Sequence, residues 1–335
     1  MTLSHFAFAS DGNFLLQLQV AVASLLHACR HRPREIIVHV LDLGITDEAW
    51  ESICVLWKRI MPQASFERHK IDASKYANYR IWHGSLAIYS RLDLPVLLPE
   101  VDWCFYFDCD ALIVNDPDEV ANLCRDDLAI IGHLDLGEAD GIWAREHGLP
   151  FDPKTYVCGG VLLMNLAWFR RFGKKSACFD FLREYPVLPH VDQTVLNNVC
   201  QGHVGLLPSS WGVFVTDAVL EQECGCIHYA GSDGCQPWLD HFNLFHHCFD
   251  YQLLRLWRRF AVSIAGCRIP RVGVFACFME CVNRCMAITI VWALQLVITT
   301  GLYPAKYNEL FERFDKRIRS KVADRCCHSM GLESC

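Results

Sequence analysis

The chain is poor in positive charge, in glycine and proline, and in repeats. Its 335 residues include 31 Lys and Arg against 38 Asp and Glu, a formal net charge of −7, which argues against a general nucleic-acid-binding protein. The 20 Gly and 13 Pro are few, 52% of the residues are hydrophobic and no internal repeat is visible, so collagenous and disordered chains are excluded. A globular chain with a full core remains.

The first ten residues contain neither a basic segment nor a long apolar run. We therefore expect a first strand there and no signal peptide. Cysteine, by contrast, is abundant, and its 19 residues are an odd number scattered through apolar segments. This distribution does not fit a small secreted disulfide framework, so we expect reduced, core-packed cysteines in a cytoplasmic protein.

Strand-like and helix-like patterns alternate along the first two thirds of the chain. The predicted strands are His5–Ala9, Glu35–Asp42, Ser65–Arg68, Trp103–Phe107, Leu128–Gly132 and Val157–Asn165. The predicted helices are Phe14–His31, a helix capped by Thr46 and ended by Pro62, Ser85–Leu92, Leu166–Tyr185 and Asp192–Cys200. This order predicts an α/β fold with a mostly parallel sheet covered by helices.

The C-terminal part of the chain differs from the rest in charge and hydropathy. From Arg255 onward there are 13 basic and 6 acidic residues, whereas the first 254 residues carry 18 and 32. Residues 285–303 contain no charge and are long enough to span a bilayer, although Gln295 interrupts them and basic residues flank both ends. We therefore divide the chain into a body, residues 1–260, and a helical, apolar and basic C-terminal segment, residues 261–335.

Three interpretations of residues 285–303 stay open: a helix pair at the membrane interface, a buried core helix and a true span. The basic run 306–325 fits a contact with anionic lipid headgroups, and it equally fits a solvated helix. Of the three, we favour the helix pair at the membrane interface. We therefore expect a cytoplasmic protein that is peripheral on the inner face of the membrane.

Two aspartates follow the strand predicted at residues 103–107, in the segment FDCDALIVND. Ligands of open α/β sheets bind beyond the carboxyl ends of strands, and Asp108 and Asp110 there can reach one hard cation. Oxygen ligands favour Mg²⁺ or Mn²⁺, either of which can hold a diphosphate. A pair of ordinary turn acids is the alternative, and this motif alone does not decide between them.

Four further segments carry groups suited to a ligand. Ser10–Asn13 follow the first strand and suit a base and ribose, and Gly159–Gly160 permit close approach of a backbone. Asp192 and Gln193 begin a helix and can hold sugar hydroxyls, while His228 ends a short strand and can add an imidazole ligand to the aspartate pair. Each segment also has an ordinary interpretation as a capped turn, a helix N-cap or a packed histidine.

In their order along the chain these segments resemble glycosyltransferase family 8. The motifs are ASDGNF, IYSRL, RLDLPVLLPEVDWCFYFDCDALIVND, CGGVLLMNL, DQTVLN and HYAG followed by PW, within about residues 3–260. The resemblance implies a retaining enzyme with a GT-A fold, which is a Rossmann-like mixed sheet flanked by helices, and a UDP-sugar donor. Similarity to bacterial members that build lipopolysaccharide or lipooligosaccharide implies galactose or glucose, and a saccharide or glycolipid acceptor.

The resemblance also implies roles for individual residues. Asp108, Asp110 and His228 match the ligands of Mn²⁺, with Mg²⁺ as the other candidate, and Asp192 and Gln193 match the catalytic pair facing the donor sugar. The donor-binding positions are Ala9, Asp11 and Asn13 in the uridine turn, Phe14 stacking on the base, the basic Arg91, Asp108, Cys158, Gly231 beside the diphosphate, and Gln236.

Two positions depart from the family pattern. Cys158 stands where the family usually has Asn or Ser, and a thiol is a poorer hydrogen-bonding partner. The loop after His228 is two residues longer than usual and places Gln236 where a Lys normally contacts the diphosphate, so stabilisation of the leaving group should be weaker. These departures motivate a second hypothesis, a catalytically impaired, membrane-associated sugar-nucleotide-binding protein.

Other enzyme classes fit the sequence less well. In a haloacid-dehalogenase-type phosphatase the aspartate-bearing strand usually comes first in the chain, whereas Asp108 follows about 100 residues. A glycogenin-like transferase that loads sugar on its own tyrosine is a further alternative. Cys224, Cys226 and His228 form a CxCxH pattern, but no second pair accompanies it as a structural zinc site requires.

Overall fold

The structure is a computed structural model that describes residues 2–32, 34–215, 224–230, 236–238, 251–269, 328 and 330–332. The strands are β1 His5–Ser10, β2 Ile37–Asp42, β3 Ser65–Lys70, β4 Trp103–Phe107, β5 Ala111–Ile113, β6 Ile130–Leu134, β7 Val157–Asn165, β8 Val204–Leu206, β9 Trp211–Phe214 and β10 Cys226–His228. The α-helices are α1 Leu15–Cys29, α2 Asp47–Ile60, α3 Leu94–Leu97, α4 Glu138–Glu146, α5 Leu166–Arg171, α6 Lys174–Glu184, α7 Val191–Val199 and α8 Tyr251–Ser263.

Seven strands form one mixed sheet in the order β3-β2-β1-β4-β7-β6-β8. The first four are parallel to one another, β7 is antiparallel to β4 and β6, and β8 is parallel to β6. A small sheet of β5, β10 and β9 lies beside it, with β10 antiparallel to β5. The α/β class and the mixed sheet flanked by helices are therefore confirmed.

Alternation along the strands sends side chains into two cores. On β1, Phe6 and Phe8 point into the core that contains α1, α2 and the small sheet, whereas Ala7 points to the opposite face with α5, α6 and α7. Within the described residues one helical stretch, Gly12–Cys29, is long and apolar enough to cross a membrane. Because α1 contacts β5, α2 and α8, we interpret it as a core helix.

Several local predictions hold and others fail for identifiable reasons. The Thr46 hydroxyl caps α2 by accepting from the Ala49 N–H at 3.2 Å. The single helix predicted over residues 166–185 is wrong, because Gly173 adopts φ +61° and separates α5 from α6. The helix predicted from residue 85 is a 3₁₀ helix over Ala87–Asp93.

Much of the C-terminal part lies outside the described residues. This applies to Gly231, to residues 285–303 and to the basic run 306–325. The division of the chain at residue 260 stays a prediction.

Candidate active site

The two aspartates and the histidine meet at the carboxyl end of β4. Asp108 and Asp110 leave β4 directly, and β10 pairs with β5 so that His228 lies opposite Ala111. His228 Nε2 is 3.1 Å from Asp110 Oδ1 and 3.9 Å from Asp108 Oδ2. One ligand atom from each residue lies within 4.8 Å of the others, so the three can share one ion.

The space and the hydrogen bonding around this group fit a cation. Asp110 Oδ1 and His228 Nε2 are buried and, apart from each other at 3.1 Å, face no hydrogen-bond partner within the described part of the chain. A Cβ atom on Gly160 would lie 2.2 Å from His228 Cε1 and 2.8 Å from Asp108 Oδ2, so only glycine leaves this space open. Two carboxylates and one imidazole suit Mn²⁺.

Charge also converges on the same point. Burial disfavours the charged imidazole, but the Asp110 carboxylate holds the pKa of His228 well above its ordinary value. Burial also acts to raise the pKa of Asp110, but the attraction of His228 more than offsets this effect. The pKa of Asp110 is therefore lowered from its ordinary value. A positive charge between these side chains is therefore favoured, whether a proton or a metal ion supplies it.

Arg91 is fully enclosed behind the aspartates, with 2% of its surface exposed. Its Nη2 donates to Asp108 Oδ1 at 2.8 Å, its Nε lies 2.8 Å from Asp192 Oδ2, and its Nη1 donates to the Gly159 carbonyl. The guanidinium also lies 4.2 Å from the centre of the Tyr106 ring. Arg91 thus fixes two carboxylates, and the donor contact predicted for it stays a prediction.

Asp108 is held asymmetrically. Arg91 Nη2 and the Tyr106 hydroxyl both donate to its Oδ1, at 2.8 and 2.9 Å. Its Oδ2 is the atom nearer to His228 and remains available for a cation. The orientation of the carboxylate is therefore set before any ligand arrives.

The catalytic pair expected from the sequence lies in the first turn of α7. Val191, immediately before it, has φ +40°, a conformation that is strained for a β-branched residue. Asp192 is not an N-cap, because His190 occupies that position, and its burial raises its pKa to about 6 although Arg91 opposes the rise. The side-chain Oε1 of Gln193 accepts from the Gly159 N–H at 2.8 Å, which ties α7 to β7.

Sequence reasoning missed the residues that hold this pair. The Gln193 amide donates to Asp135 Oδ2 at 3.0 Å and to the Tyr156 hydroxyl at 3.3 Å. Asp140, with 1% of its surface exposed, accepts from the Thr194 hydroxyl and contacts the His190 imidazole. Asp135 directly follows β6. An acid just beyond a predicted strand was the sequence signal that could have identified it as a site residue.

The predicted uridine turn lies on the strand next to the aspartates. β1 is parallel to β4, and the Cys109 thiol donates to the Ala9 carbonyl at 3.1 Å, which joins the two strand ends. Asp11 caps a 3₁₀ helix by accepting from the Asn13 N–H at 2.9 Å, and its other oxygen accepts from the Ser85 hydroxyl at 2.7 Å. Phe14 ends that 3₁₀ helix. The turn is both a cap and a neighbour of the metal ligands.

Cys158 contacts His228, the candidate histidine ligand, on the side away from the aspartates. Its Sγ lies 3.7 Å from His228 Nδ1 and accepts from the Gly160 N–H at 3.5 Å. The Phe214 ring stacks on the same imidazole with centroids 5.5 Å apart. Gln236 is half-buried within a described stretch of three residues, 236–238.

This fold occurs in known sugar transferases. The crystal structure of galactosyltransferase LgtC in complex with donor and acceptor sugar analogs matches with a TM-score of 0.64 and 22% identity, over 80% of this chain and 98% of that chain. The Streptococcus pneumoniae glycosyltransferase GlyE matches with a TM-score of 0.59 and 17% identity, over 79% of this chain and 62% of that one. The chain therefore has the GT-A fold of a glycosyltransferase.

The sequence assigns the family as well. The model of glycosyl transferase family 8 matches residues 5–241, and the chain belongs to that family. A Haemophilus influenzae protein named "Putative glycosyltransferase" is 24% identical over 225 residues, which span 64% of this chain and 64% of that relative. "General stress protein A" of Bacillus subtilis is 22% identical over 209 residues, 59% of this chain and 69% of that protein.

Proposed function

We propose that this glycosyltransferase is a retaining enzyme that moves galactose or glucose from a UDP-sugar to a saccharide acceptor. The observation that carries the proposal is the convergence of Asp108, Asp110 and His228 on one point beside the Gln193 amide. A diphosphate needs a cation among these carboxylates, and in this proposal the first turn of α7 faces the sugar. The similarity in fold to a galactosyltransferase supports the hexose.

Asp108, Asp110 and His228 would hold the ion, with Mn²⁺ preferred because an imidazole joins the oxygen ligands. When bound, the ion neutralises charge on the departing diphosphate. Arg91 acts through Asp108: it donates to Oδ1 and leaves Oδ2, the oxygen nearer to His228, available to hold the ion. We regard Arg91 as a positioning residue for both carboxylates.

Retention follows in this proposal from attack on the same face as the leaving group. The acceptor oxygen bonds to the anomeric carbon while the bond from that carbon to UDP breaks. The electron pair goes to the β-phosphate oxygen, which also takes the proton of the acceptor hydroxyl. Gln193 orients the sugar, since an amide is a poor nucleophile and its carbonyl is already fixed by Gly159.

Asp192 is the alternative nucleophile. Its Oδ2 lies 2.8 Å from Arg91 Nε, so an attack on the sugar would first have to break that ion pair. A double displacement would leave an ester between Asp192 and the hexose. Mass spectrometry of enzyme quenched during turnover should show no such adduct, and its detection would overturn front-face attack.

The function is tested by a donor screen. Each UDP-sugar is incubated with Mn²⁺ or with EDTA, with and without an acceptor extract, and free UDP is measured. We expect metal-dependent release from UDP-galactose or UDP-glucose. Binding of the donor without turnover under every condition would instead favour the impaired sugar-nucleotide-binding protein, which Cys158 and Gln236 motivate.

The acceptor and the location belong to the same proposal. We infer a saccharide or glycolipid acceptor in lipopolysaccharide or other surface-glycan synthesis, and a cytoplasmic protein peripheral on the inner face of the membrane. The supporting observation is the excess of basic residues after residue 254. Flotation with anionic and neutral vesicles tests it, and the Lys316→Gln, Arg317→Gln, Arg319→Gln variant should lose binding to the anionic ones.

A further inference from the structure

A second cluster of potential metal ligands lies on the face of the large sheet, away from the candidate active site. His39 on β2 is opposite Glu67 on β3 in the strand register, and His69 is two residues further along β3 on the same face. His39 Nδ1 is 3.1 Å from both Glu67 Oε2 and His69 Nε2, and the last two atoms are 3.8 Å apart. All three ligand atoms lie within 4.8 Å of one another.

Hydrogen bonds within this triangle leave one of its close contacts unmatched in either protonation state of His39 Nδ1. His39 Nδ1 faces two groups at hydrogen-bonding distance, but a ring nitrogen carries at most one hydrogen and makes one such bond as donor or acceptor. If Nδ1 is protonated, it can donate to Glu67 or to His69 but not fully to both. If it is not, its lone pair faces the Glu67 carboxylate. A cation at the centre satisfies all three atoms together.

The dimensions of the triangle match a known coordination geometry. Zinc–nitrogen and zinc–oxygen bonds are about 2.0–2.2 Å, so neighbouring ligands of a tetrahedral zinc ion are roughly 3.3–3.5 Å apart. The observed separations of 3.1, 3.1 and 3.8 Å bracket that value. Small side-chain rotations bring all three atoms to bonding distance.

The surroundings favour a metal-binding form of the imidazoles. The side chain of His39 is 2% exposed and that of His69 is 18% exposed, so the imidazole side of the cluster is largely enclosed. The other nitrogen of His39, Nε2, lies 3.0 Å from His5 Nδ1, and the two rings stack. His5 can therefore fix the tautomer of His39.

We propose that His39, Glu67 and His69 form a second metal site, which takes a divalent transition metal of the zinc type. Two imidazoles and one carboxylate are softer than the aspartate-rich ligands of the active site, and they favour Zn²⁺ over Mg²⁺ or Mn²⁺. Glu67 is half exposed, so solvent reaches the site and water can supply the fourth ligand. The ion joins the edge strand β3 to β2.

The site is distinct from the one at Asp108. In the sheet order β3-β2-β1-β4, its ligands stand two and three strands away from β4. At about 4.8 Å per strand this is a separation of roughly 10 Å or more. No ligand is shared, so the two sites can be tested one at a time.

The test isolates the second site by disabling the first. Full-length Asp108→Ala, Asp110→Ala protein is stripped of metal and titrated with Zn²⁺ by calorimetry, and with Co²⁺ by visible absorption. We expect one molar equivalent of each ion to bind, with the intense absorption of tetrahedral Co²⁺. Adding Glu67→Gln or His69→Gln should weaken binding at least about tenfold. His31→Gln, which changes an exposed histidine on another part of the surface, should leave it unchanged.

The outcomes separate clearly. The proposal is overturned if the double-aspartate variant binds no Zn²⁺. It is also overturned if adding Glu67→Gln or His69→Gln leaves the affinity for Zn²⁺ the same as in the double-aspartate variant. If the double-aspartate variant does not fold, wild-type protein takes its place; it should bind two equivalents of Zn²⁺, one of them weakened at least about tenfold by Glu67→Gln. Both ligand substitutions lie on the edge strand β3, and circular dichroism of each variant checks that it folds.

Discussion

The two clusters of ligands in this protein differ in how the surrounding residues prepare them. At the active site Arg91 and Tyr106 hold one oxygen of Asp108, and Gly160 leaves room beside the other. On the sheet face, by contrast, the imidazoles of His39 and His69 hold each other, and no guanidinium among the described residues pairs with them. The first arrangement fixes oxygen atoms that would suit a hard ion in contact with a substrate. The second suits an ion whose role is to join strands.

The largest expected effect separates the clusters by function. Asp108→Asn should lower UDP-sugar turnover about 10³-fold, because it removes a negative ligand that stabilises the ion on the leaving group. Glu67→Gln should leave turnover unchanged at saturating Mn²⁺. The measurement is Mn²⁺-dependent release of UDP, and equal losses in the two variants would mean that the clusters do not differ as described.

The space beside Asp108 gives the next effect. Gly160→Ala should weaken Mn²⁺ binding about 100-fold, since the new Cβ would displace the His228 ring. Gly159→Ala is the matched control: its Cβ would meet Arg91 Nη1 at 3.2 Å and Gln193 Cβ at 3.3 Å, and would leave the ligand triangle intact. Titration of Mn²⁺ by electron paramagnetic resonance gives both affinities. A larger loss in Gly159→Ala would contradict this account.

A smaller effect concerns the support of the histidine ligand. Cys158→Ala removes the thiol next to His228 Nδ1 and should weaken Mn²⁺ binding about tenfold. Cys178→Ala, in a buried position on α6, is the control and should bind Mn²⁺ like wild type. Should both variants bind equally well, the thiol has no part in orienting the imidazole.

The smallest effect is on stability and follows pH. The Asp140 carboxylate raises the pKa of His190 above 6.5, so their pairing stabilises the fold fully below pH 6.5 and is lost as pH rises through the raised pKa. At pH 6 wild type should therefore have a higher free energy of unfolding than His190→Gln, and this difference should be smaller at pH 9. Urea denaturation at both values measures it. In an Asp140→Asn background the gap should not depend on pH.

The parts of the fold that follow from local rules were predictable from the sequence. The buried run WCFYF predicts β4, and the Thr46 cap and Pro62 bound α2. The three- and four-residue strands β5, β8 and β9 were not foreseen, because so short a run has no measurable period. Gly173 was likewise invisible as a helix break, since a glycine within a helical pattern is often tolerated.

The same division applies to the candidate site. Asp108 and Asp110 stand out in the sequence because they follow a strand, and ordered motifs supplied His228. The contacts of Arg91 with Asp108 and Asp192 join residues that are far apart in the chain, and no local pattern encodes them. The His39, Glu67 and His69 cluster depends on the register between two strands, which only the structure provides.

The small sheet gives the metal ligands a mechanical consequence. His228 belongs to β10, whereas Asp108 ends a strand of the large sheet, so an ion held by both is a bridge between two separately hydrogen-bonded layers. Binding of the ion would therefore add to the core packing that already attaches the small sheet. Chelation should loosen β9 and β10 before the rest of the body, and hydrogen exchange would follow that detachment strand by strand.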